Sequence, residues 1–176
     1  MMRRMTKVGR LWQLAPLAMA LMLFGLVPAV QAQTVHFKEL LPFVDIKIPG
    51  WEADQKPTGS TVKHDKMQMS EARASFRSGE MRLEINIIDF LGKPLPFLGM
   101  LQQVEIESSE EHIRTTQIQG CQALETFRHQ DKQGELSINV ADRFWVKIDG
   151  EGLNNLEPLR LAAQQLDLKK LAGLAK

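Results

Sequence analysis

Nucleophiles, bases and metal ligands limit what chemistry a chain can perform, and here they are few. The only cysteine is Cys121, and the four histidines are His36, His64, His112 and His129. Covalent catalysis needs a nucleophile, a base within hydrogen-bond reach and a third group that orients the base. Cys121 and His129 share parity, so one continuous strand would carry both on one face. At about 3.3 Å per residue they would then lie about 26 Å apart, and a Cys–His pair requires that strand to break. No Gly-x-Ser-x-Gly elbow is present to expose a serine. His64-Asp65 and Glu110-Glu111-His112 are the local clusters of metal-ligating types. Neither has the spacing of a ligand motif, and both read as solvated polar surface. No glycine-rich phosphate cradle joins a strand to a helix. The residues therefore point to no catalytic centre, no metal and no cofactor. An enzyme would need a pocket that gathers His64, Asp65, Glu111, His112 or His129 from distant positions.

Contact with another molecule has a better candidate. Phe90–Leu101 holds Gly92, Pro94, Pro96 and Gly99 among Phe90, Leu91, Leu95, Phe97 and Leu98. A loop with this many apolar side chains must bury them somewhere. They pack beneath the loop as core, as most such residues do, or they form a lid over an apolar ligand or a patch for a protein. Phe90, Leu91, Leu95, Phe97 and Leu98 are accordingly the candidate ligand- or partner-binding residues. Trp51 and Trp145 can add to such a surface, although tryptophans are usually large core or interface residues.

Residues 1–32 read as a secretory signal peptide. Arg3, Arg4, Lys7 and Arg10 form a basic head, and an apolar run extends from Leu14 to Val27. Val30-Gln31-Ala32 then supplies small side chains where a signal peptidase reads. The apolar run is about 14 residues, short of the roughly 20 that cross a bilayer. Cleavage after Ala32 takes 32 residues from 176 and leaves 144, Gln33–Lys176, one ordinary domain. The whole chain has 22 basic and 21 acidic residues; without the four basic residues of the leader it has 18 against 21, a net −3. A mildly acidic chain without a basic cluster argues against nucleic acid and against electrostatic docking on anionic lipid. One cysteine makes no internal disulfide, so the fold rests on its core. An unpaired thiol in an exported chain can pair with another chain or bind a metal, but burial as a small apolar side chain is the usual outcome.

Period-two alternation marks strands at Met67–Arg77 and Met81–Asp89, with Ser78-Gly79 between them and Arg77 facing Glu80 across the turn. Gln55–Ser60 reads as a surface loop, a short helix follows across Met100–Val104, and Glu105–Glu111 is exposed. Further strands fall at Ile113–Ile118, Ala123–His129, Glu135–Val140 and Phe144–Ile148. Phe37–Leu41 is a short helical or irregular stretch stopped by Pro42. At the C-terminus Asn155 is a plausible N-cap, Pro158 suits the first turn, and Leu156, Leu159, Ala163 and Leu166 share a helix face. Asp167 caps a second helix. The expected fold is α+β, in ββ-α-ββββ-α order. Its antiparallel sheet of five or six strands is covered by a C-terminal helix and a shorter middle helix.

This element order over Met67–Leu174 resembles the Mog1/PsbP-type α+β sandwich. The closing stretch, Asp142-Arg143-Phe144 through Asp149-Gly150 to Leu166-Asp167-Leu168-Lys169-Lys170-Leu171, resembles the ends of uncharacterised exported bacterial proteins. Neither resemblance implies a catalytic or binding residue. The expectation is a periplasmic or secreted, non-catalytic binding or accessory domain that contacts a protein partner partly through Phe90–Leu101. The alternative is a carrier of a small apolar or lipidic molecule held between sheet and helix. No stable membrane anchor is expected after cleavage.

Overall fold

Side chains that alternate apolar and polar bury one face of a strand and leave the other for a different environment. In the computed structural model that pattern builds one large antiparallel sheet; residues 33–64, 67–91 and 104–175 are described. The strands are β1 (Glu52–Ala53), β2 (Thr58–His64), β3 (Met67–Ser78), β4 (Met81–Asp89), β5 (Glu105–Glu107), β6 (Glu111–Ile118), β7 (Cys121–Arg128), β8 (Gln133–Val140) and β9 (Phe144–Glu151). The helices are α1 (Phe37–Val44), α2 (Glu157–Gln165) and α3 (Leu168–Ala172). The sheet runs β1-β3-β4-β9-β8-β7-β6-β5, and β2 also pairs with β3. Two meanders, β2-β3-β4 and β5 to β9, are stitched together by the antiparallel β4–β9 pair.

One face is the core. Ala72, Ala74 and Phe76 of β3 align with Leu83, Ile85 and Ile87 of β4. Val146 and Ile148 of β9 and Leu136 and Ile138 of β8 continue the rows. Leu40, Phe43 and Val44 of α1 cover one half of this face; Leu159, Ala162 and Ala163 of α2 and Leu168 and Leu171 of α3 cover the other. Glycine sets how closely α2 approaches. Gly134 and Gly150 are register partners, and a Cβ on Gly150 would lie 2.5 Å from Leu153 Cδ1. The C-terminal leucines fill the space those two missing side chains leave.

The coarse expectation of a sheet-rich α+β fold with C-terminal helical cover holds. The finer one needs correction. The described sheet has nine strands, not five or six. Half of what reads as a loop at Gln55–Ser60, Thr58 to Ser60, belongs to β2, and the acidic stretch holds the three-residue β5. The 67–78/81–89 hairpin turns at Gly79-Glu80, one residue later than expected. Gly79 takes a φ of 60° as the first central residue, which only glycine adopts cheaply. Arg77 therefore faces Arg82, not Glu80, and is neutralised by Asp54 at 3.0 Å. Pro42 does not stop α1; it sits inside the helix on its exposed side. The expected middle helix, Met100–Val104, lies outside the described residues except Val104, which is not helical. Asn155 accepts from the Glu157 N–H at 3.0 Å, one residue before the N-cap position. Asp167 caps α3 as expected.

Candidate binding surfaces

The face opposite the core carries a polar lattice. Glu84 of β4, Asp149 of β9 and Glu135 of β8 lie side by side in register. Lys147 bridges the two acids of β8 and β9, 2.8 Å from Asp149 and 3.5 Å from Glu135. Burial pulls the Lys147 ammonium down, but the two carboxylates outweigh it and its pKa rises. At Asp149 burial dominates, with Glu135 adding to it, and the carboxyl is pushed up despite the ammonium beside it. The pair's attraction therefore shows in Lys147 alone. These acids line part of a cleft of about 430 Å³ with Arg82 and Arg128.

Along the same face the lattice turns aromatic. Ile88 lies opposite Trp145, and Phe90 follows beyond the end of β4. Phe90 stacks on Trp145 with centroids 6.4 Å apart and rings 28° from parallel. The Trp145 indole N–H donates to Ser137 Oγ at 3.2 Å. Asn139, cross-strand neighbour of Trp145, is only 7% exposed. Its amide nitrogen donates to Asp142 at 2.7 Å, which leaves Oδ1 as an acceptor without a partner; Asn86 Oδ1 is in the same state. A buried acceptor without a donor is costly to the fold.

Of the sequence-derived candidates, then, Phe90 is placed on this face. Leu91 follows with a φ of 59° and donates its N–H to Asp89 Oδ1 at 2.9 Å. Leu95, Phe97 and Leu98 lie outside the described residues. The anchor of this corner is a buried ion pair that sequence reading missed. Asp89 is fully buried and takes Arg143 Nε and Nη2 at 3.0 and 2.8 Å. The same carboxylate accepts the Val35 N–H at 2.7 Å, and Arg143 also donates to the Gln33 carbonyl at 2.8 Å. One ion pair thus holds the chain at 33–35, the end of β4 and the start of β9.

The clusters that hold His64 and His112 read as solvated polar surface; His112 is half-buried and, with exposed His129, borders a cavity. His112 pairs with Phe127 across β6 and β7, and His129 follows two residues beyond Phe127, edge-on to its ring at 5.3 Å. Both line a cavity of about 360 Å³ with Glu107, Arg114, Asn155 and Arg160. Glu107 Oε2 contacts His112 Nδ1. A carboxylate there fixes the ring's proton on Nδ1 in the neutral form and makes Nε2 an acceptor. Beneath them Glu125 is 1% exposed. Arg160 grips it with Nε and Nη2, both at 2.7 Å, and Arg114 reaches it at 3.2 Å. Burial raises the Glu125 pKa, but the two arginines more than reverse this, and it ends below the ordinary glutamate value. Arg160 is pushed up, mainly by its bond to Glu125. The arginines thus neutralise the protein's own buried acid. The cavity retains hydrogen-bonding groups, but no nucleophile set beside a base and no group of three metal-ligating side chains among the described residues.

Of the other sequence candidates, His64 is exposed on β2 and Asp65 lies outside the described residues. Glu111 opposes Arg128 across the hairpin. Cys121 is half-buried, and burial pushes its thiol pKa up. No helix among the described residues is long and apolar enough to cross a membrane. Compared with known proteins, the chain matches no family model, no curated protein and no solved structure.

Proposed function

We propose that this chain is an exported, non-catalytic binding or accessory domain that contacts a protein partner on the sheet face opposite its helices. The observation that carries the reading is the Phe90–Trp145 stack, half-buried on the face opposite the helices. An aromatic platform that is still partly exposed suits a polypeptide, whose apolar side chains can pack on it. The Asp89–Arg143 pair supports it further, because it fixes the backbone on both sides of the platform. Export is supported by the leader-like sequence of residues 1–32.

The test is site-specific photocrosslinking in the periplasm, with a photoreactive residue at position 90 and a control at exposed Lys169. A discrete protein adduct is expected at 90 and absent at 169, and Phe90→Ser should weaken partner capture without lowering the unfolding temperature. Adducts of lipid size would favour the carrier instead. Equal labelling at both positions would sink the proposal.

A further inference from the structure

The two ends of the sheet differ in a way that fits one to the other. β2 pairs only with β3 and β5 only with β6 among the described residues, so each leaves one row of backbone N–H and C=O groups directed away from the sheet. Such rows are templates for another strand. The exposed large hydrophobic side chains among the described residues are two, Val62 at 44% and Ile106 at 46%. Each sits on one of these edge strands. Register places both on the face opposite the helices: Val62 lies opposite Met69, and Ile106 opposite Ile113. Charge separates the edges. Exposed Lys63 follows Val62, whereas exposed Glu105 and Glu107 flank Ile106.

We infer that β2 of one copy of this chain pairs with β5 of the next, extending the sheet from molecule to molecule. Setting Val62 beside Ile106 fixes the register. In an antiparallel pairing Lys63 then lies opposite Glu105; in a parallel one it lies opposite Glu107. Either direction joins two exposed hydrophobic side chains on one face and a lysine to a glutamate on the other. Unlike charges directly opposite stabilise a strand pair, and like charges would oppose it. The pairing is heterologous, so it grows into a ring or an open chain and does not stop at a two-fold dimer. β5 is short, so the area buried falls below that of a standard stable interface and the association is weak and concentration-dependent. It does not rest on the partner reading above: it uses the outer backbone rows of β2 and β5, whereas Phe90 follows β4, two strands in from the β2 edge.

Sedimentation of the full chain, as recovered after export, tests this across a concentration range reaching the millimolar. The mass of the unaltered protein should rise with concentration and fall again in high salt. Val62→Glu and Ile106→Glu each remove one edge and should each remain monomeric at their own highest concentration. Mixed in equal amounts they should form a one-to-one dimer that grows no further, because each still has the edge the other lacks. Phe90→Ser should assemble like the unaltered chain, which separates a failure here from a failure of the partner reading. Lys63→Glu provides a second route: it should weaken assembly about tenfold or more, and mixing it with Glu105→Lys/Glu107→Lys should restore growing assembly, because both edges of each variant then meet opposite charge on the other. A monomeric unaltered chain at every concentration overturns the inference. So does a mixture of the two edge variants that stays monomeric, or an Ile106→Glu variant that assembles normally.

Discussion

Replacing Asp89 by asparagine tests the corner that holds Phe90 in place. The carboxylate is fully buried and accepts four hydrogen bonds, from Arg143 Nε, Arg143 Nη2, Val35 N–H and Leu91 N–H, at 3.0, 2.8, 2.7 and 2.9 Å. All four partners are donors. Asparagine keeps one acceptor oxygen and turns the other position into a donor, which meets N–H groups head-on. It also leaves the Arg143 guanidinium, whose side chain is 10% exposed, without its counter-charge. Removing one partner of a buried ion pair typically costs about 3–5 kcal/mol. A domain of this size has about 5–15 kcal/mol in total and loses roughly 2–4 °C per kcal/mol. Asp89→Asn should therefore lower the midpoint of thermal unfolding by about 6–20 °C and shift the urea midpoint without changing the slope. Hydrogen exchange should speed up at Val35 and Leu91 before it does in β8. Arg143→Met should cost a similar amount. The double variant Asp89→Leu/Arg143→Met should cost clearly less than the sum of its single changes, since the charge burial goes with the charges. A cost below about 1 kcal/mol for Asp89→Asn, or strict additivity in the double variant, would refute the idea that this pair is a coupled anchor.

Gly150→Ala forces a Cβ to within 2.5 Å of Leu153 Cδ1 and 3.0 Å of Leu83 Cδ2; thermal unfolding should show a loss of about 1–3 kcal/mol, whereas Gly173→Ala, which meets nothing within 4 Å, should be nearly silent. Glu125 is held below its ordinary value by Arg160 and Arg114, so its share of stability is complete above the ordinary glutamate range and is lost as pH falls through the lowered folded value. Urea midpoints measured down the acid limb should fall less steeply for Glu125→Gln than for the unaltered chain. The raised thiol of half-buried Cys121 should react with a disulfide reagent at neutral pH more slowly in the folded chain than in urea; equal rates would contradict the burial effect.

The alternating runs in β3, β4, β8 and β9 were legible because each buries one face along its whole length, and a period of two survives whatever packs above it. The pattern fails at the edges. β2 begins Thr58-Gly59-Ser60, with Thr58 and Ser60 exposed and Pro57 before it, and reads as a loop because a strand at the rim has little apolar face to show. Gly59 is needed there for another reason: a Cβ would sit 2.7 Å from the Glu71 carbonyl and 3.0 Å from the Phe37 ring. β5 is three residues long and wholly exposed, so no periodicity can mark it. The hairpin register was missed by one residue because Ser78-Gly79 and Gly79-Glu80 both offer a glycine. Only the pairing of Ser78 with Met81 distinguishes them.

Site residues were legible in proportion to how local their partners are. Phe90 stood out because its apolar neighbours are adjacent in sequence, yet its stacking partner, Trp145, belongs to β9 and is reached only through the β4–β9 pairing. Asp89 and Arg143 lie 54 residues apart and read as ordinary charges at strand ends; burial, which no single position announces, makes them an anchor. Glu125 likewise sits in an alternating strand where an apolar residue would be expected on the core side, between Ala123 and Phe127. An acid at an inward position is itself a signal, because such a carboxylate must find cations. Its cations are Arg114 and Arg160, from β6 and α2. The His112–His129 cavity follows from that demand: the arginines that neutralise Glu125 also form one wall of it, beside Phe127. A buried charge inside a strand pattern therefore marks where the helix layer must supply a partner, and such a place is worth searching before any histidine is judged by its spacing alone.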